Sequence, residues 1–425
     1  MSIMILIGVI LFMMFLGVPI VFAIGASSFG YLLLTGLPMA LAVQSIVNYL
    51  DEFVLIAIPL FIFAAQLMNA GGMTDRIINF LRGLFGPVRG GLAHVNIVSS
   101  MVFAGVSGSQ VADASSVGTL MVKVMTDDGY DIDYAAAVSA ASSTIGPIIP
   151  PSVPMVVAGA MAGLSVTRLF LGGMVPGILM GLGMMLVATI LAHIHKHPKH
   201  AAVPLREILK AFRGAFIDLL VPVVMIGGIV FGFFTPTEAA AIAVFGAIII
   251  GMFIRREISV KKFINCIVET VIVTAEVLLI AAVCIVLSWI LVYEQVPQNL
   301  LSLLVGLEMA PGVFLFLIVI MLLILGMMVA GMPTLLIAVP LLLPMASYLQ
   351  IDPYHLTMII VLVTMMGGLT PPVGTLLFIM ASVAKRPIGA IVKAMIPYYG
   401  VLFVVILLVT YVPAISTLLP RVLMP

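Results

Sequence analysis

The chain has 425 residues, 63% of them hydrophobic and only 8% charged. Soluble domains run at about 45–50% apolar and about 25% charged, so a water-soluble globule is excluded. The 18 Lys/Arg nearly balance the 17 Asp/Glu, which points to neither nucleic acid nor an acidic partner.

A membrane span needs about 20 apolar residues, so this length holds roughly a dozen membrane-entering segments. The opening MSIMILIGVILFMMFLGVPI lacks a basic n-region and a small-residue cleavage site, so it reads as mature membrane helix. The run 3–34 accommodates one crossing or two. Further apolar runs cover 50–70, 92–125, 132–163, 167–193, 214–234, 237–254, 263–293, 312–350, 354–384 and 388–420. In the segment 74–89, Ile77, Ile78, Leu81, Leu84 and Phe85 fall at helical spacing with Arg76, Arg82 and Arg89 between them. That pattern predicts an amphipathic arm helix lying in the membrane interface. Segment 296–309 has a similar periodicity without Lys or Arg.

The longest polar stretch, 194–213, leaves no room for a soluble domain. His193, His195, His197 and His200 resemble a metal tract but read as a solvated basic loop. Cys266 and Cys284 lie in apolar stretches and exclude a disulfide framework or a Cys metal site. The 30 methionines read as lipid-facing or core filler.

An internal repeat organises the chain. A shift of 221 residues superposes Gly91/Gly312, Gly105/Gly326, Asp131/Asp352, Gly146/Gly367, Pro150/Pro371, Pro151/Pro372, Met174/Met395 and Pro176/Pro397 without gaps. Upstream the offset drifts, with Glu52 against Glu276 and Pro19 against Pro236. With the basic loop 196–213 in the cytoplasm, all basic residues except Arg168 and Arg421 fall inside, as the positive-inside rule requires. The second arm, with Glu294 and Glu308, then lands outside. The expected fold is therefore all-α and polytopic, built of two inverted repeats at 1–195 and 214–425. Each repeat carries an arm helix (74–89; 296–309), a re-entrant hairpin (92–125; 312–350) and a broken helix (132–163; 354–384).

Inverted repeats with interrupted helices mark secondary transporters, whose sites lie where unwound backbone lines a cavity. Prolines remove donors and glycines permit non-helical backbone. The runs Gly146-Pro-Ile-Ile-Pro150-Pro151-Ser152 and Gly367-Gly-Leu-Thr370-Pro371-Pro372 therefore free carbonyl oxygens at mid-depth. Unsatisfied carbonyls in hydrocarbon are costly, and Na⁺ is a natural partner for them. The half-helices after Pro151 and Pro372 aim their N–H groups at the same places, which suits a carboxylate. Asp113 is a carboxylate inside an apolar segment, a functional or paired residue. Glu238 and Glu276 read as helix-end or inter-helix hydrogen bonders. His-Glu-x-x-His, Gly-x-Ser-x-Gly and Walker motifs are missing from the sequence, so the chain is not read as an enzyme. The energy must come from an ion gradient.

At Gly90-Gly-Leu-Ala-His-Val-Asn96, Phe103-Ala-Gly-Val-Ser-Gly-Ser-Gln-Val-Ala-Asp113, Ile149-Pro-Pro-Ser152, Phe234-Thr-Pro-Thr-Glu238 and Leu369-Thr-Pro-Pro372, the chain resembles the large membrane subunit of tripartite ATP-independent periplasmic (TRAP) transporters. The similarity runs essentially end to end. It implies an elevator-type fold related to the ion transporter superfamily, in a bacterial inner membrane among its lipids. It also implies Na⁺ as coupling ion, no organic cofactor and a small organic-acid substrate. The implied partners are a small four-helix membrane subunit and a periplasmic substrate-binding protein. Carried over by position, one Na⁺ site falls at Ser107, Gly146, Ile149 and Pro151, and the other at Gly326, Gly367, Thr370 and Val373. Substrate contacts fall at Ser109, Ser152 and Thr334. Sialic-acid members carry an aspartate where this chain has Ala330, which disfavours sialate and leaves C4-dicarboxylates, keto acids and sugar acids. A stand-alone Na⁺/divalent-anion symporter is the alternative.

Overall fold

The computed structural model describes residues 3–306 and 309–424. Leu307 and Glu308, within the second predicted arm, lie outside them. The described residues form helices joined by short connections, with no strand among them. Among the described residues, eight helices are long and apolar enough to cross a membrane: Phe53–Ala70, Val166–Ile194, Leu205–Val230, Pro236–Ile254, Val260–Tyr293, Pro311–Met328, Gly331–Tyr348 and Ile388–Tyr411. Their outward faces carry large apolar side chains such as Phe216, Val223, Phe245, Ile272 and Leu279, all exposed. An apolar surface of this extent needs lipid rather than water against it. The chain is a multi-pass membrane protein.

The run 3–34 resolves into a helical hairpin. Helices Ile3–Phe15 and Ile20–Thr35 are separated by Gly17, at φ +83°, and Pro19. The Ser27 hydroxyl reaches Met13 Sδ at 3.6 Å. In a continuous helix those residues would stand about 21 Å apart, so the chain has turned back on itself. A third helix, Met39–Leu50, follows and packs on Val260–Tyr293. It falls in a stretch without a predicted apolar run, because Gln44, Ser45 and Asn48 interrupt its apolar residues.

The first arm is the helix Met73–Phe85, with Met73, Ile77, Ile78 and Leu81 buried. Arg76 is not simply solvated at the helix surface. It pairs with Asp218 at 2.7 Å and Glu257 at 2.9 Å, and Asp218, 2% exposed, also meets Arg255 at 3.3 Å. The basic loop is shorter than predicted, because a helix capped by Pro204 starts at Leu205. It is also not simply solvated. Gly90 donates to Pro198 O at 3.1 Å and His200 N to Gly86 O at 3.2 Å. His197 is buried, 4.8 Å from the Tyr130 ring and 4.5 Å from that of Tyr134. His200 Nε2 meets Asp128 at 2.9 Å. No group of His, Cys, Asp and Glu able to hold a metal occurs among the described residues. Cys266 and Cys284 are free and buried.

The segments singled out by the repeat pack together. Gly91–Ser107 folds back on Gln110–Asp113 and Thr119–Asp127, linked by the π-helical turn Ala114–Gly118. Ile132–Ser143 stops short of Val153–Ala162, and Pro353–Gly367 stops short of Thr375–Ala384. Both Pro-Pro bonds in these gaps, 150–151 and 371–372, are cis. The helix Ile132–Ser143 packs on Thr375–Ala384 and on Ile388–Tyr411. There Arg386 grips Asp133 with two bonds, 2.7 and 2.8 Å, and Tyr398 donates to Tyr134 at 3.2 Å.

Candidate ion and substrate site

The first gap is built around the tip of the first hairpin. Gly108 ends the helix Gly91–Ser107 in left-handed backbone, and Ser109 continues extended. This tip inserts into the break that follows Ser143. The Val153 amide donates to Gly108 O at 3.2 Å. A Cβ on Gly108 would meet Pro151 O at 2.6 Å, and one on Gly146 would meet Ser109 O at 3.3 Å. At Gly108 only glycine allows so close a passage of two main chains, and at Gly146 the fit is tight. Ser107, Ser109, Gly146, Pro151 and Ser152 are thereby gathered into one place.

The polar groups there are incompletely used. The Ser107 hydroxyl is buried, 2% exposed, and has no hydrogen-bond partner. No hydrogen bond among the described residues ends on the carbonyls of Gly146, Ile149 or Pro151. Ser152 is spoken for: its hydroxyl donates to Pro147 O and accepts from Met155 N at 3.2 Å, capping the second half-helix. The Ser107 hydroxyl and these three carbonyls are oxygen donors left unused by hydrogen bonds among the described residues.

The second gap shows the same construction with fewer side chains. A Cβ on Gly367 would lie 2.6 Å from Gly326 Cα and 2.7 Å from Gly326 O. The helix Pro311–Met328 makes its last backbone bond from Val329 to Leu325 O, at 2.8 Å, so the Gly326 carbonyl faces the gap. Val373 N donates to Met327 O at 3.2 Å. The Thr370 hydroxyl donates to Met366 O at 3.0 Å, which leaves its oxygen lone pairs free. Thr334 is buried and bonds Ala330 O at 3.2 Å within its own helix.

A cavity of about 330 Å³ opens beneath the first tip, lined by Ser107, Ser109, Gln110 and Ser115. Gln66 and Glu276 face it from the helices Phe53–Ala70 and Val260–Tyr293. Of the three predicted substrate residues only Ser109 lines it; Thr334 and Ser152 do not, while Met332 and Met365 do. Gln110 and Gln66 went unpredicted, since a glutamine within an apolar run carries no charge signal.

Asp113 lies outside the cavity lining and is wholly buried. Ser100 donates to its Oδ2 at 2.8 Å, and no ion pair involves it among the described residues. Glu238 is settled as a helix-end residue. Its carboxylate accepts from Thr235 N at 2.8 Å while Thr235 Oγ1 accepts from Glu238 N at 3.3 Å, a reciprocal cap.

The comparisons with known proteins fall on the same segments. The family model described as "Tripartite ATP-independent periplasmic transporter, DctM component" matches residues 7–415. The chain belongs to the DctM family of TRAP large permeases. It is 37% identical to the sialic acid TRAP transporter large permease protein SiaM of Vibrio cholerae, over 96% of each chain. It is also 37% identical to the C4-dicarboxylate TRAP transporter large permease protein DctM of that organism, over 100% of this chain and 98% of the relative. These relatives are permease subunits of organic-acid transporters, not enzymes. The fold is also that of the YdaH transporter of Alcanivorax borkumensis: TM-score 0.62 at 17% identity, covering 89% of this chain and 86% of that one.

Proposed function

We propose that this TRAP large permease is a Na⁺-coupled importer of an organic acid in a bacterial inner membrane. A small four-helix membrane subunit completes it, and a periplasmic binding protein delivers the substrate. One observation carries the reading: in the first gap the buried Ser107 hydroxyl and the carbonyls of Gly146, Ile149 and Pro151 are all left without hydrogen bonds among the described residues. Na⁺ at that set, and a second at Gly326, Gly367, Thr370 and Val373, would neutralise a substrate carboxylate held near Ser109 and the half-helix N-terminus at Val153. The halves are read as inverted repeats working as an elevator. The moving body is 92–163 plus 312–384, and Val260–Tyr293 belongs to the scaffold.

The energetics are adequate. Two Na⁺ with one monoanion move one net charge, worth roughly 2.3 kcal/mol per 100 mV, or about 50-fold accumulation before the Na⁺ gradient adds its part. Uptake into proteoliposomes holding both membrane subunits, with loaded binding protein outside, is expected to require external Na⁺. Equal uptake when K⁺ replaces Na⁺ overturns the coupling. Equal uptake without the partners replaces the tripartite reading with that of a stand-alone symporter.

A further inference from the structure

Asp113 is the only carboxylate in the hairpin 92–125, and it is 0% exposed. The helices Gly91–Ser107, Ile132–Ser143 and Thr375–Ala384 pack against its short helix Gln110–Asp113, and none of them contains a Lys or Arg. Their one histidine, His94, is engaged elsewhere, with Gly90 O at 3.1 Å and Thr189 Oγ1 at 3.0 Å. A carboxylate taken wholly out of water with no cation beside it is costly, and inside a membrane it marks a functional residue.

Its bonds lead to the first gap. Ser100, on the opposite arm of the hairpin, donates to Oδ2 at 2.8 Å, and the Ser100 and Ser142 hydroxyls stand 3.0 Å apart. Ser142 and Ser143 are the last residues before the break: Ile145 N donates to Ser142 O at 3.0 Å and Gly146 N to Ser143 O at 3.2 Å. The Asp113 amide donates to Ser109 O at 3.1 Å, and a Cβ on Gly146 would meet that same oxygen at 3.3 Å. Asp113 thus ties both arms of the hairpin to the turn that presents the Gly146 carbonyl. The second half lacks this device. At the shift of 221, Asp113, Ser100 and Ser142 correspond to Thr334, Met321 and Val363. A hairpin can therefore meet a helix break without a carboxylate, and the charge at Asp113 needs another explanation.

We propose that Asp113 is a positioning residue of the first Na⁺ site and its counter-charge, bonded to none of the ligand oxygens. Through Ser100 and Ser142 it fixes the turn that carries Gly146, and Na⁺ in the gap supplies the positive charge that the neighbouring helices withhold. The inference rests on the Na⁺-coupled reading above. Partners one layer beyond the ligands typically change metal affinity by about 10–100-fold.

The test is thermal unfolding of the purified full-length chain in nanodiscs, titrated with NaCl against KCl at constant ionic strength. Asp113→Asn keeps the shape and an oxygen for Ser100 but removes the charge. It is expected to need roughly tenfold more Na⁺ than wild type for the same stabilisation, while unfolding in K⁺ no earlier than wild type. A merely structural role moves the second quantity and not the first. An Asp113→Asn chain with the wild-type Na⁺ titration, or one losing as much stability in K⁺ as in Na⁺, overturns the inference while leaving the Na⁺ sites standing. Should that variant fail to fold, Ser100→Ala decides. The carboxylate then loses its donor and holds its charge less well, so Na⁺ binding is expected to weaken in the same direction, and an unchanged titration overturns the assignment. Absence of any Na⁺ effect on wild type overturns the Na⁺-coupled reading and this inference with it.

Discussion

Replacing Ser107 with alanine separates an ion ligand from a structural hydroxyl, because the two roles predict opposite signs. The hydroxyl is 2% exposed and has no partner. A buried polar group in that position costs about 1–3 kcal/mol, so Ser107→Ala is expected to leave the Na⁺-free chain as stable as before, or stabler by up to that amount. In Na⁺ the balance reverses. One of four proposed oxygen donors is lost, and a hydrogen-bond-strength contact to a charge is worth about 1.5–3 kcal/mol. That corresponds to roughly 10- to 150-fold weaker Na⁺ binding. The assay is the unfolding midpoint of purified wild type and Ser107→Ala, titrated with NaCl against KCl at constant ionic strength. A ligand stabilises the folded state by about 2.7 kcal/mol at a hundred times its Kd, so the displaced titration is readable. A variant that unfolds earlier without Na⁺ and keeps the wild-type Na⁺ midpoint would refute the reasoning.

The other predictions concern packing and charge. Gly367→Ala forces a Cβ to 2.6 Å from Gly326 Cα, backbone against backbone, whereas the nearest contact of a Cβ on Gly146 is 3.2 Å. The first is expected to cost about 1–3 kcal/mol as an overpacked core does; the second is expected to cost less, and equal losses in a thermal melt would contradict the geometry. Asp218→Ala leaves Arg76 and Arg255 facing each other without their shared carboxylate. Breaking a buried pair costs about 3–5 kcal/mol, but these arginine side chains keep 19% and 23% exposure, so the loss is expected at or below the lower end. Burial, and then the charge of His195, pull the His197 pKa below its usual value. The unfolded chain therefore takes up the proton first as pH falls through about 6.5, and stability is expected to fall with it. Wild type should lose thermal stability there while His197→Phe, keeping the aromatic packing, loses less. Identical pH profiles would exclude His197 as the group responsible.

The gaps in the helices were legible because glycine and proline have local consequences. Gly146, Pro150, Pro151, Gly367, Pro371 and Pro372 constrain their own backbone wherever they sit, so the interruptions follow without knowledge of neighbours. At Glu238 the sequence leaves a helix-end and an inter-helix role open, and the structure shows a cap made with Thr235 three residues earlier. What escaped the sequence depends on residues far apart in it. Arg76 reads as interfacial from its helix alone, and only the arrival of Asp218 and Glu257, 142 and 181 residues later, makes it an ion-pair centre. His197 reads as solvated until Tyr130 and Tyr134 close over it.

The helix Met39–Leu50 was missed for a related reason. Hydropathy over a span detects segments apolar all round, and this one carries Gln44, Ser45 and Asn48 among its apolar residues. Gln110 shows where this limit bears on function. Its neighbours in sequence, Ser109 and Asp113, draw attention through a motif and a charge, yet Gln110 lines the cavity and Asp113 does not. The side chain acquires its setting from Gly368 in the other gap, 258 residues away, whose missing Cβ leaves room for the amide. Local chemistry thus indicates where the backbone opens. The contact between Gln110 and Gly368 joins the two gaps, and of the two residues only Gly368 lies in a run that the sequence marks as a break.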